Sequence, residues 1–259
     1  MFSRVISKRV IGVQTSTRSL HLVPKLDQHK QWSSEGISGL YSPKQFKMAW
    51  TDYQNYLLTN LTLLTNGTPY ESKQTYQVVL NSAKRTTDQH IFHYASQAHS
   101  NHLFFQQLTS KDKAQETKPS KLLMQKLINQ DINDVETLRS RIISLGSTTF
   151  GQGWLFLVEF PDKQIKLIRT NNDGTPYYYG KTQELDLNGG VDEPTYKYLE
   201  NLKQRAINEE QEFTLPVLAI NLWDQAYIQD YGVNGRQKYL ENVFDCIDWN
   251  VINERLFLA

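Results

Sequence analysis

Residues 215–227 read Leu-Pro-Val-Leu-Ala-Ile-Asn-Leu-Trp-Asp-Gln-Ala-Tyr. An apolar, branched run from Phe213 to Ile220 gives way there to a helical pattern that continues from Asp224 to Arg255. The run predicts a strand. Pro216 has no N–H to give a ladder, which favours a sheet edge or a strand start. Gly232 and Gly235 interrupt the helical part. Upstream, Gly153–Phe160 (GWLFLVEF) and Gln164–Arg169 (QIKLIR) flank Pro161-Asp162-Lys163 and predict a β-hairpin. Asn171–Pro176 (NNDGTP) predicts a turn.

Further out the period changes. Ser42-Pro43 offers an N-cap and a first-turn proline. Phe46, Trp50, Tyr53, Leu57, Leu61 and Leu64 follow at spacings of three and four, the apolar face of one long helix that Asn66-Gly67 stops. A second helical pattern runs from Thr75 to Leu108, broken near Thr86-Thr87. Residues 27–41 read as an irregular lead-in, residues 109–121 as an exposed connection between two lobes, and residues 122–145 as helical. The expected class is α+β: a helical unit at 27–118 and a mixed unit with a small antiparallel sheet at 119–259.

The 259 residues are 39% hydrophobic and 21% charged, enough for a packed core. No apolar run approaches the roughly 18–20 residues of a membrane span. Cys246 is the single cysteine, which excludes an internal disulfide framework and a cysteine-rich zinc module. The net charge of +1 is not that of a basic nucleic-acid coat.

Residues 1–26 carry Arg4, Lys8, Arg9, Arg18 and Lys25 and no acid. Interleaved with Phe2, Val5, Ile6, Val10 and Ile11, they have the composition of a mitochondrial presequence. Arg4, Lys8 and Arg9 break up any apolar core of a secretory signal. Cleavage near Arg18 would take four positive charges and leave the remainder near −3.

Three segments share an order with a known family. They are Ala95–Leu108, with Asn101-His102 before Phe104-Phe105; Phe150–Val158, with Gly151-Gln152-Gly153-Trp154; and Leu215–Tyr227, continued by Tyr231, Arg236, Tyr239 and Trp249-Asn250. Together they resemble the iron/manganese superoxide dismutases over most of residues 40–257. The resemblance implies an N-terminal helical hairpin and a C-terminal α/β lobe with a three-stranded antiparallel sheet.

It also implies three His and one Asp around Mn or Fe, a donor set suited to these metals. Matched residue by residue, those positions are Ala49, His102, Asn221 and Gln225. One imidazole cannot retain the ion, and a neutral amide removes the charge that would balance it. The family's gateway Tyr and His fall on Leu57 and Tyr53, its Trp after the His motif on Gln106, and its active-site Gln on Asn172 or Ala98. Asp224 stands where a Glu bridges the dimer to a ligand of the other subunit. No catalytic residue, bound metal or cofactor is expected.

Residues Phe46–Leu64, Gly151–Glu159, Asn171–Tyr178 and Asn221–Gly232 look more like the superoxide-dismutase-like proteins of the fungal mitochondrial small ribosomal subunit, and like the shorter of the two. The implied role is structural and non-enzymatic, in the mitochondrial matrix. The implied partners are small-subunit ribosomal proteins, a second dismutase-like chain in a heterodimer and, locally, rRNA, with no membrane. The alternative is a metal-dependent dismutase with a relocated site. The pairs His90/His93 and His99/His102 could share a helix face for Zn, but ordinary packing is the expected role. Lys111, Lys113, Lys118, Lys121 and Lys126 read as a solvated face that could touch phosphate. The run Pro176–Tyr179 reads as strand packing or a protein contact.

Overall fold

The computed structural model describes residues 21–161, 163–177, 193–208 and 214–256. Residues 1–20 of the presequence region and the run Tyr178-Tyr179 lie outside the described residues.

The sheet has three antiparallel strands in the order β2-β1-β3, formed by β1 (Gly153–Glu159), β2 (Ile165–Asn171) and β3 (Leu215–Asn221). The central strand β1 is buried at every position, as its unbroken apolar sequence requires. Val158 pairs with Pro216 and Leu157 with Leu218, so Val217 is an extra residue. Pro216 has no N–H to give, and the ladder slips beside it. At Gly153 an added Cβ would lie 2.0 Å from the Thr170 carbonyl oxygen, so only glycine lets the two strands approach.

The helical layer begins with α1 (His29–Glu35), where the sequence reading placed an irregular lead-in. Then Ser42 Oγ accepts from the Gln45 N–H at 3.2 Å and Pro43 opens α2 (Pro43–Phe46). The long helix expected from Ser42 to Asn66 is present but not uniform. A π-helical segment at Lys47–Asp52 separates α2 from α3 (Tyr53–Thr65). The break near Thr86 stands: α4 (Thr75–Ser82) and α5 (Gln89–Gln106) flank a short 3₁₀ turn. Both α3 and α4 pack on α5 around Leu57, Leu61, Val78, Val79 and Phe92.

The expected exposed connection at 109–121 is partly anchored. The Thr109 N–H donates to the Cys246 carbonyl, Lys111 N–H donates to the Ser38 carbonyl, and α6 (Lys111–Ala114) buries Ala114. The helical pattern at 122–145 divides into α7 (Lys121–Leu127) and α8 (Val135–Ser147), because Asp131 takes a left-handed conformation and Asp134 caps a new start. Between β2 and β3 comes α9 (Glu193–Ile207), and after β3 come α10 (Ile228–Tyr231), α11 (Arg236–Asp245) and α12 (Trp249–Glu254). No described helix is long and apolar enough to cross a membrane.

The outer edge of β3 is closed by side chains. Gln107 donates from Nε2 to the Ala219 carbonyl and accepts the Ala219 N–H at 3.1 Å, doing for that residue what another strand would do. Arg255 donates to the Val217 carbonyl at 3.2 Å and to the Leu103 carbonyl at 2.9 Å. These contacts fasten the C-terminal end of α5 and the end of α12 to the sheet. Replacing Gln107 by Leu strands a buried N–H and a buried carbonyl. The expected loss is about 2–4 kcal/mol, read from the urea midpoint at unchanged slope.

Candidate functional site

The four singled-out residues sit where the helical layer meets the end of β3. Ala49 lies buried in the π-helical segment, His102 on α5, Asn221 at the last position of β3, and Gln225 in the 3₁₀ turn Asp224–Ala226. Two of them are linked through a residue the sequence reading did not weigh for this role. The Nδ2 of Asn101 donates to the Ala49 carbonyl at 3.2 Å, and Asn221 Nδ2 donates to Asn101 Oδ1 at 3.3 Å. Asn221 Oδ1 accepts the Trp223 backbone N–H at 2.9 Å, and its carbonyl accepts from the Tyr239 hydroxyl at 2.9 Å. The Gln225 carbonyl accepts from Gln45 Nε2 at 2.8 Å, tethering the turn to α2.

Gln97 is a second centre that sequence reasoning missed. Its Oε1 accepts the Trp154 indole N–H at 3.3 Å and the Tyr53 hydroxyl at 3.5 Å, and its Nε2 donates to the Asn172 carbonyl at 3.2 Å. The residues matched for that role were its neighbour Ala98 and Asn172. The available signal was a glutamine among small residues on the buried face of α5.

Several buried polar atoms near this junction have no hydrogen-bond partner among the described residues: Trp50 Nε1, His102 Nε2, Trp223 Nε1 and Gln225 Nε2. Gln225 lies against the Tyr53 hydroxyl, but its Nε2 makes no hydrogen bond of good geometry. The His102 ring is tilted 41° to the Trp50 indole at 6.0 Å. Burial, with Arg255 nearby, pushes His102 down to about 4. His99 bonds through Nε2 to the Tyr177 hydroxyl at 2.7 Å and is pushed down to about 3 by burial, His102 and Arg255. Both rings are therefore neutral at physiological pH. They line a cavity of about 290 Å³ with Gln54, Gln74 and Tyr76.

The other histidine pair does not converge. His90 is exposed, whereas His93 Nδ1 lies 3.3 Å from Asp173 Oδ2. Among the described residues no group of three or more His, Cys, Asp or Glu is placed to hold a metal ion. Cys246 is buried, its thiol pushed up to about 12 mainly by desolvation, so it is a poor nucleophile.

The three-stranded sheet, the helical layer and this junction agree with a sequence match. The profile described as "Iron/manganese superoxide dismutases, C-terminal domain" covers residues 119–188 and 190–255. The chain belongs to the iron/manganese superoxide dismutase family. Within that family its relatives differ in kind. Small ribosomal subunit protein mS43 of Schizosaccharomyces pombe is 32% identical over 240 residues, 91% of this chain and 84% of its own length. Small ribosomal subunit protein mS42 of the same organism is 27% identical over 78% of this chain and 83% of its own. An iron superoxide dismutase of Legionella pneumophila is 26% identical over 79% of this chain and 84% of its own.

The two depressed histidines carry a pH signature. In the unfolded chain both titrate near 6.5, so below that pH the unfolded state binds protons that the folded state refuses. Stability then falls as the pH drops from 6.5 towards 4. Replacing His102 by Leu removes its share, so the fall in Tm between pH 7.5 and pH 5.0 should be smaller than in the unmutated protein. Equal falls would exclude His102 as a source of the pH dependence.

Proposed function

We propose that this chain is a non-catalytic structural component of the mitochondrial small ribosomal subunit, built on a superoxide dismutase scaffold. The observation that carries the reading is the 32% identity to a small-subunit ribosomal protein over 91% of the chain, against 26% to a dismutase over 79%. The acid-free, basic composition of residues 1–26 supports import into the matrix.

The residues at the centre do not fit the ion of the family's enzymes. Ala49 offers a methyl group, Asn221 and Gln225 offer neutral amides, and only His102 offers an imidazole. Both polar atoms of the Asn221 amide already have protein partners. Mn and Fe hold in such sites through several imidazoles and a charged carboxylate, and a single neutral imidazole loses the ion to water. We therefore read Ala49, His102, Asn221 and Gln225 as a degenerate metal site, with 27–118 and 119–259 kept as the helical and α/β units of the scaffold.

The partners proposed are small-subunit ribosomal proteins and a second dismutase-like chain in a heterodimer. A heterodimer is supported by the second relative, another small ribosomal subunit protein that this chain resembles over 78% of its length. Asp224 is half-exposed and engaged with Gln152 at 3.1 Å and Arg236 at 3.7 Å, so its charge is used within the chain. A near-neutral mature chain favours docking through protein surfaces, with rRNA contacts local.

A sucrose gradient of mitochondrial lysate, with metal analysis on the fractions, tests this reading. The chain should travel with small ribosomal subunits and carry no stoichiometric Mn or Fe. Migration as a free metal-loaded dimer of roughly 55–60 kDa would overturn it.

A further inference from the structure

Resting on the reading of a metal-free scaffold, we infer that Asn101 and Asn221 have replaced the ion as the cross-link between helices and sheet. We further infer that the polarity of their hydrogen bonds holds position 221 as an amide. The link closes this centre to the carboxylate that metal binding would need.

The directions of these hydrogen bonds are fixed from the backbone inward. A backbone carbonyl can only accept. The Ala98 carbonyl takes Gln54 Nε2 at 2.9 Å, which turns Gln54 Oε1 towards Asn101. The Ala49 carbonyl also faces Asn101, at 3.2 Å. Two acceptors therefore face the same end of Asn101, and that end must be Nδ2. Its Oδ1 is left pointing at Asn221, 3.3 Å away, and needs a donor. At the far end the Trp223 backbone N–H requires an acceptor, which is Asn221 Oδ1. Residue 221 must thus accept on one side and donate on the other. A primary amide does both, and an ionised carboxylate cannot.

Bulk solvent does not reach a mismatch here, because Gln54, Asn101 and Asn221 are each no more than 1% exposed. Flipping the Asn101 amide to suit an aspartate would set its oxygen against the Ala49 carbonyl and Gln54 Oε1. The chain Ala49–Asn101–Asn221 joins the π-helical segment, α5 and β3, the elements that hold three of the four matched ligand positions.

The substitution Asn221→Asp in the purified protein tests this. It should lower Tm by about 8–15 °C at pH 7.5. A desolvated aspartate facing acceptors has its pKa raised in the folded state, so its deficit is full above that pKa and shrinks as the pH falls through it. The Tm gap to the unmutated protein should therefore narrow by roughly half at pH 5.0, where a neutral acid can donate to Asn101. A merely tight cavity would give no such pH dependence.

If Asn221→Asp does not fold, the variants Asn101→Leu and Asn221→Leu and their double provide the second measurement. The double should lose less Tm than the sum of the two singles, because both singles break the same Asn101–Asn221 bond while each also loses its own other partners. Additive losses, or an Asn221→Asp protein as stable as the unmutated one at pH 7.5, would overturn the polarity lock alone. Stoichiometric Mn or Fe in the unmutated protein, with a Tm that falls on EDTA treatment, would overturn the metal-free reading beneath it.

Discussion

A three-stranded sheet has two open edges, and a buried edge must find partners for every N–H and carbonyl. In this protein the outer edge of β3 finds them in side chains. Gln107 completes Ala219, Arg255 reaches Val217, and Tyr239 reaches Asn221. Each of those residues comes from a different helix end or face, so satisfying the edge also fixes where α5, α11 and α12 lie. Arg255 is the costly member. Its guanidinium is desolvated enough to push it down to about 10, and the neutral carbonyls and amides around it provide its stabilisation. The junction that holds Ala49, Asn101 and Asn221 is positioned as a consequence of this edge.

That junction links helices to sheet through neutral groups, with the Arg255 guanidinium nearby. Its hydrogen bonds run between amides, carbonyls, indoles and phenols, and its histidines are held uncharged by burial. Such a network binds one element to another without needing an ion. The buried ion pair of Lys126 with Glu159 lies elsewhere, at the end of β1, where α7 packs on the sheet. The Asn101–Asn221 link is satisfied from within the protein, whereas Trp50 Nε1, His102 Nε2, Trp223 Nε1 and Gln225 Nε2 beside it find no partner among the described residues.

The fold was largely legible in the sequence because its signals are local. Continuous apolar runs at 153–159 and 215–221 gave strands, Ser42-Pro43 gave a helix start, and Pro216 gave an edge. The misreadings were also local in origin. Residues 29–35 have no apolar stripe to announce a helix, and only Trp32 is buried there. The single positive φ of Asp131, at 57°, divides a stretch whose apolar spacing looked continuous. The polar run at 109–121 read as exposed, yet backbone hydrogen bonds from Thr109 and Lys111 to distant carbonyls dock it.

For the site, the family resemblance supplied the positions to compare and the sequence supplied the side chains that occupy them. It determined that position 49 is a methyl and that positions 221 and 225 are amides, since residue type needs no coordinates. Only the tertiary structure decided what those amides do. Asn101 and Gln97 acquire their roles from partners 44 to 120 residues away in the chain. A hydrogen bond has a direction, and that direction is set by whichever backbone carbonyls the fold brings alongside. The sequence could therefore name the amide at 221, while the reason it must be an amide exists only once Ala49, Asn101 and Trp223 are packed around it.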